Sequence, residues 1–162
     1  MTDVWHSDDL AVPGTYCLIL KLEEATRIRI GGMGRIAFPR GWYAYVGSAF
    51  GPGGLKARLG QHSRPASRLH WHIDYFRYLA ELEGAFFTLS QTPCEHLWAT
   101  SAMAVSGATI PAKEFGASDC RCRAHLIHFK YRSSIGSLQQ VLNDSIPPAA
   151  PLTFVHYREN CS

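Results

Sequence analysis

Charge is scarce in this chain: Asp, Glu, Lys and Arg make up 18% of its 162 residues and leave a net charge of +3. Hydrophobic residues supply 46%. That balance excludes disorder over most of the length and describes an ordinary globular domain, long enough to bury a core. No apolar run approaches the roughly 20 residues needed to span a bilayer, so no membrane role is expected. Internal repeats, heptads and low-complexity tracts are also missing. The first ten residues have neither a basic n-region nor an apolar h-region, which sets aside a secretory leader. The five cysteines are an odd number for a disulfide framework. They are therefore expected as thiols in a reducing cytoplasm.

What is present reads as an α+β chain, a small, mostly antiparallel sheet flanked by helices. Residues 1–12 form a polar lead-in, 13–146 the domain and 147–162 a C-terminal tail with a Pro-rich break. Tyr16–Leu22 reads as a buried strand, and Thr26–Ile30 alternates charge with isoleucine as a half-exposed strand does. Arg35–Phe38 and Trp42–Gly47 follow after glycine turns. Connections this short predict an antiparallel meander rather than parallel crossovers. Helices are expected over Leu55–Gln61, His70–Leu79, Cys94–Val105 and Ser137–Asn143. In the third, Thr92 is placed as cap, with Leu97, Trp98 and the Ala102/Met103 pair turned inward. Further strands are expected over Gly84–Leu89 and Cys122–Phe129, with Thr153–Tyr157 either a last strand or an ordered tail.

The chemistry-bearing residues gather around one strand. Trp42, Ala44 and Val46 alternate with Tyr43, Tyr45 and Gly47, so two phenols share a face. A glycine turn, Gly51-Pro52-Gly53-Gly54, then hands the chain to a helix carrying Lys56 and Arg58. Two phenols beside a guanidinium suit work on a phosphodiester, where one group takes a proton and another holds developing charge. Lys56, Arg58, Arg64 and Arg68 bracket His62, a basic strip without basic composition.

Gly14-Thr15-Tyr16 and Tyr45-Val46-Gly47 resemble the two halves of the GIY-YIG nuclease signature. Arg58 stands on the following helix, where that superfamily keeps its arginine. The run from Tyr45 to Arg58, the block His70-Trp71-His72-Ile73-Asp74-Tyr75 and the block from Phe115 to Leu126 resemble an uncharacterised stand-alone branch of it, a domain of unknown function. The resemblance covers roughly residues 13–130. The wide gap between Tyr16 and Tyr45 implies an inserted hairpin over Ala25–Phe38. The residue after Gly47 is Ser48, where DNA-repair members often place lysine, and Lys56 replaces that phosphate contact.

The resemblance implies metal-dependent cleavage of a nucleic-acid phosphodiester. Tyr16 or Tyr45 helps to deprotonate water, Arg58 clamps the non-bridging oxygens, and His62, four residues on, acts as general acid. Ser48, Lys56, Arg64 and Arg68 are the phosphate contacts. A glutamate on a later helix holds one divalent ion, Mg2+ or Mn2+; here the candidate is Glu95, in the first turn after Pro93. The implied partner is nucleic acid, DNA ahead of RNA, with a protein partner for targeting as a further expectation.

Two other stretches carry chemistry. Within His70-Trp71-His72-Ile73-Asp74, a carboxylate four residues from an imidazole on one helix orients it, so His70, His72 and Asp74 are expected to support the site. Ser118-Asp119-Cys120-Arg121-Cys122-Arg123-Ala124-His125 reads as buried thiols beside an Asp119-centred turn, with Asp119 and His125 near the site. Cys120 and Cys122 are one residue apart, closer than zinc knuckles place their pairs. A zinc site needs Cys94 or a histidine to complete it. Two other functions stay open: a nucleic-acid-binding module without catalysis, and a zinc-stabilised protein-binding adaptor.

Overall fold

The computed structural model describes residues 5, 7–117, 122–146 and 150–157. Alternation along two long strands builds its centre. In β1 (Thr15–Leu22), Tyr16, Leu18 and Leu20 enter one core while Cys17 and Ile19 enter another. β4 (Gly41–Ser48) divides likewise, Tyr43 and Tyr45 on the first side, Ala44 and Val46 on the second. Both faces of each strand are therefore buried, the condition for the middle of a layered sheet.

β1 pairs antiparallel with β4, setting Tyr16 against Gly47 and Leu18 against Tyr45. On its other side β1 pairs with β5 (Glu81–Thr88), with a register shift at Ile19/Leu20. β6 (Leu126–Phe129) closes one edge on β4, and β7 (Leu152–His156) closes the other on β5. The order is β6-β4-β1-β5-β7, every pair antiparallel. The expected α+β architecture is present. Residues 152–156 form a strand, and Val155 within them is buried.

The expected meander is corrected. β2 (Thr26–Arg29) and β3 (Arg35–Phe38) pair only with each other, as a separate two-stranded sheet. Their exposed charges cannot be buried on two faces, so the hairpin is left out of the main sheet. It lies as a cover, packing Ile28, Ile36 and Phe38 onto the first core. Its insertion does not prevent the two motif strands from pairing directly.

α1 (Gly54–His62) and α2 (His72–Arg77) pack on that same face through Leu55, Leu59, Ile73 and Phe76. α3 (Glu95–Met103) and α4 (Ser134–Asp144) cover the opposite face through Trp98, Ala102, Leu138 and Leu142. Trp5 and Leu10 join the first core, and the Trp5 indole N–H donates to the Leu59 carbonyl at 2.7 Å. Two details of α3 differ from expectation. Cys94, not Thr92, is its N-cap residue. The Cys94 N–H is satisfied by Thr15 Oγ1 at 3.1 Å, which ties the start of the helix to the start of β1. Leu97 points outward, 54% exposed, because Trp98 and Ala102 fill the only helical stripe that faces the sheet. Among the described residues, no helix is long and apolar enough to cross a membrane.

Candidate functional site

One cleft of about 400 Å³ opens at the end of the sheet where β1 begins and β4 ends. Tyr16, Tyr45, Arg58 and Glu95 all line it, together with Ser48, His70, His72 and His125. The sheet sets the phenols. Tyr16 lies opposite Gly47, and its ring occupies the space a side chain at 47 would take: a Cβ there would sit 2.4 Å from the phenol oxygen. Tyr45 lies beside Gly116, whose φ of +71° belongs to the left-handed region. A Cβ at 116 would meet the Tyr45 ring at 3.0 Å. Both glycines are therefore the counterparts of a tyrosine.

Burial raises the pKa of both phenols. For Tyr16, desolvation is reinforced by Tyr45 and opposed by the Arg58 charge. For Tyr45, desolvation leads, Glu95 and Asp74 add to it, and Arg58 again opposes it. Both side chains are neutral phenols at pH 7, hydrogen-bond donors rather than ready bases.

His62 corrects its expected role as general acid. It is only 3% exposed and does not line the cleft. Its Nε2 meets the Tyr16 hydroxyl at 2.8 Å, underneath the phenol. Burial pushes its pKa down to about 4, the Asp74 charge raising it and those of Arg58 and Arg77 lowering it further. The imidazole is neutral at pH 7, so no proton is held there for a leaving group. Sequence spacing put His62 on the face of Arg58; the packing of α1 against the sheet turned it inward.

Arg58 is fixed from α1 and by aromatic contact. Its guanidinium stacks over Trp71, 4.5 Å from the ring centroid. Such stacking leaves the edge of the planar donor fork for a ligand. Sequence reasoning gives Trp71 no role of its own; its signal was its place in the His70–Tyr75 block. Behind it, Arg77 donates to the carbonyls of His62 at 2.9 Å and Ser63 at 3.2 Å, joining the end of α1 to α2.

Asp74 does not orient the imidazole of His70. Its carboxylate accepts from the backbone N–H groups of His70, at 2.9 Å, and Trp71, at 2.8 Å. α2 begins only at His72, so the residues ahead of it present backbone donors to the carboxylate instead of side chains. His72 lines the cleft, and its Nδ1 accepts from the Gly116 N–H at 2.9 Å, which leaves the proton on Nε2. Burial lowers its pKa.

Glu95 enters from the first turn of α3 and holds His125 Nδ1 at 3.1 Å from its Oε1. Burial works to raise its pKa, but hydrogen bonds from His125 and Ser48 and the nearby imidazoles win, leaving the carboxyl below its usual value. Ser48 thus serves the carboxylate rather than standing free as a phosphate contact. The rest of the expected phosphate track lies elsewhere. Lys56 pairs with Asp8 and, with Arg64, lines a second groove behind α1. Arg68 is exposed and lines neither. Asp119, Cys120 and Arg121 lie outside the described residues.

A family model for the domain of unknown function DUF123 matches residues 15–146. The chain belongs to that family. No curated protein and no solved structure matches it. Every residue of the cleft wall, from Tyr16 to His125, falls inside the DUF123 segment. That segment also brings His96 and Cys122 to the cleft mouth, where Nδ1 of one meets Sγ of the other at 3.2 Å. Cys122 is half-exposed rather than a buried thiol, and sequence reasoning does not single out His96.

Proposed function

We propose that the cleft binds a nucleic-acid phosphodiester and hydrolyses it with the help of one divalent cation, in the manner of the GIY-YIG nucleases that the motifs resemble. The observation that carries this reading is convergence. Tyr16, Tyr45, Arg58 and Glu95 come from two strands and two helices on opposite faces of the sheet, yet they wall one cleft. A structural role for any one of them does not require the other three.

Arg58, stacked over Trp71, binds the non-bridging oxygens in two parallel hydrogen bonds and meets the negative charge that grows there. Tyr45 donates its phenolic proton to the same phosphate. Tyr16 and His62 act as a pair. Nε2 of His62, 2.8 Å from the hydroxyl, fixes the Tyr16 phenol, which orients the attacking water in the cleft.

The donor set around Glu95 fits a magnesium-type ion. One ionised carboxylate opening on a polar cleft is the protein share such an ion takes, with waters and phosphate oxygens completing its shell. Glu95 would hold it, and Ser48 and His125 fix the carboxylate. The ion supplies Lewis-acid polarisation of a phosphate oxygen and acidification of bound water.

The test is cleavage by the purified protein of single-stranded, duplex, flapped and branched DNA and the corresponding RNAs, with Mg2+ or Mn2+ and with chelator. Metal-dependent cleavage of at least one substrate is expected. Binding without cleavage on all of them would leave the non-catalytic module as the function, and neither would remove nucleic acid as the partner.

A further inference from the structure

We propose that a zinc-class transition-metal ion is bound by His96, Cys122 and His125 at the mouth of the cleft, distinct from the magnesium-type ion assigned to Glu95. The ligand atoms of these three residues lie within 4.8 Å of one another. Tetrahedral zinc, with bonds of about 2.0–2.3 Å, holds its ligands roughly 3.3–3.7 Å apart. His96 Nδ1 and Cys122 Sγ, at 3.2 Å, are within a few tenths of an ångström of that spacing. Closing the remaining distance takes a movement of roughly 1 Å, within the reach of side-chain rotation at the half-exposed Cys122 and the exposed His96.

The chemistry of the set selects the metal. Two imidazoles and a thiol are borderline and soft donors, suited to Zn2+ and its probe Co2+ and unsuited to Mg2+, which takes oxygen. His125 is also arranged as metal-bound histidines are. Its Nδ1 faces the Glu95 carboxylate at 3.1 Å, so Nε2 is the ligating nitrogen and the carboxylate fixes the ring. Three protein ligands leave a fourth position, and His96 and His125 both line the cleft, so that position opens to water or to a phosphate oxygen. The ion also joins the start of α3 to the segment before β6, where residues 122–125 form neither helix nor strand. This site stands whether or not the protein cleaves nucleic acid, since it is read from binding alone.

The experiment is titration of the metal-free full chain with Co2+, followed by ultraviolet and visible absorbance, in wild type, Cys122→Ser, His96→Ala and Glu95→Gln. One equivalent is expected to bind, with a thiolate-to-cobalt charge-transfer band and d–d bands of tetrahedral intensity. Zn2+ should displace it stoichiometrically and excess Mg2+ should not. Cys122→Ser should lose the charge-transfer band, and His96→Ala should bind at least about tenfold more weakly. Glu95→Gln should keep the band while binding about 10–100-fold more weakly. Circular dichroism accompanies each variant; should Cys122→Ser fail to fold, the exposed His96 carries the test. A wild type without the band, or variants at 96 and 122 that bind Co2+ like wild type, would overturn the proposal.

Discussion

Replacing Gly47 by alanine should damage the site from within the sheet, by way of the ring it opposes. The added Cβ would stand 2.4 Å from the Tyr16 hydroxyl, 2.5 Å from Cζ and 2.9 Å from Cε2. Ordinary contact begins near 3.4 Å, so the ring must retreat by about 1 Å, and the neighbour is a buried ring already bonded to His62. A shift of that size stretches the 2.8 Å bond to His62 beyond hydrogen-bonding range. Overpacking costs about 1–3 kcal/mol and a buried polar pair left unsatisfied a similar amount, so a loss of roughly 2–6 kcal/mol is expected. Urea unfolding measures it. Gly60, in α1, is the control: nothing lies within 4 Å of its Cβ position, so Gly60→Ala should stabilise the helix by roughly 0.5–1 kcal/mol. In the cleavage assay, displacing Tyr16 by this distance should lower the rate about 10²-fold. A Gly47→Ala protein as stable as wild type would refute the claim that Gly47 exists to seat Tyr16.

Acid should unfold the protein through His62. Burial pushes its pKa from 6.5 to about 4, so the folded state binds fewer protons between those values than the unfolded chain does. The stability is fully present above about pH 6.5 and is lost as pH falls towards 4, by about 3 kcal/mol, and His62→Gln should flatten that part of the urea-stability profile. The lowered pKa of Glu95 adds loss in the same direction on further acidification. If Arg58 is the phosphate clamp, Arg58→Ala should reduce the salt dependence of nucleic-acid binding by about one counterion. Lys56→Ala should leave that slope unchanged because Lys56 is paired with Asp8 outside the cleft. Fluorescence anisotropy across a salt series distinguishes the two.

Much of the central sheet was legible because its determinants are local. Alternation from Tyr16 to Leu22 and from Trp42 to Gly47 marked two strands, and glycine spacing marked the turn into α1. That Tyr16, Tyr45 and Arg58 share one cleft was implied only by the resemblance their motifs carry. What failed to show depended on partners distant in the chain. Whether Arg27 and Arg29 ride on the main sheet or on a separate hairpin is decided by which surface stays wet, not by their own alternation. His62 and Arg58 have the same helical spacing to any reader of sequence, yet one lies beneath Tyr16 and the other stacks on Trp71. Asp74 was expected to serve an imidazole because helix was expected from His70; the helix begins two residues later, and the carboxylate caps it. The meeting of His96 with Cys122, 26 residues apart, has no signal in either local pattern.

The most direct measurement is the single-turnover rate of Mn2+-dependent cleavage by wild type and by Arg58→Ala, on the best substrate of the panel. Arg58 is half-buried on a helix surface, and its removal should move the unfolding midpoint little. The account predicts a rate lower by about 10²–10³, the effect of losing one charge-stabilising donor, with the fold retained. A folded Arg58→Ala protein that cleaves at the wild-type rate would contradict it.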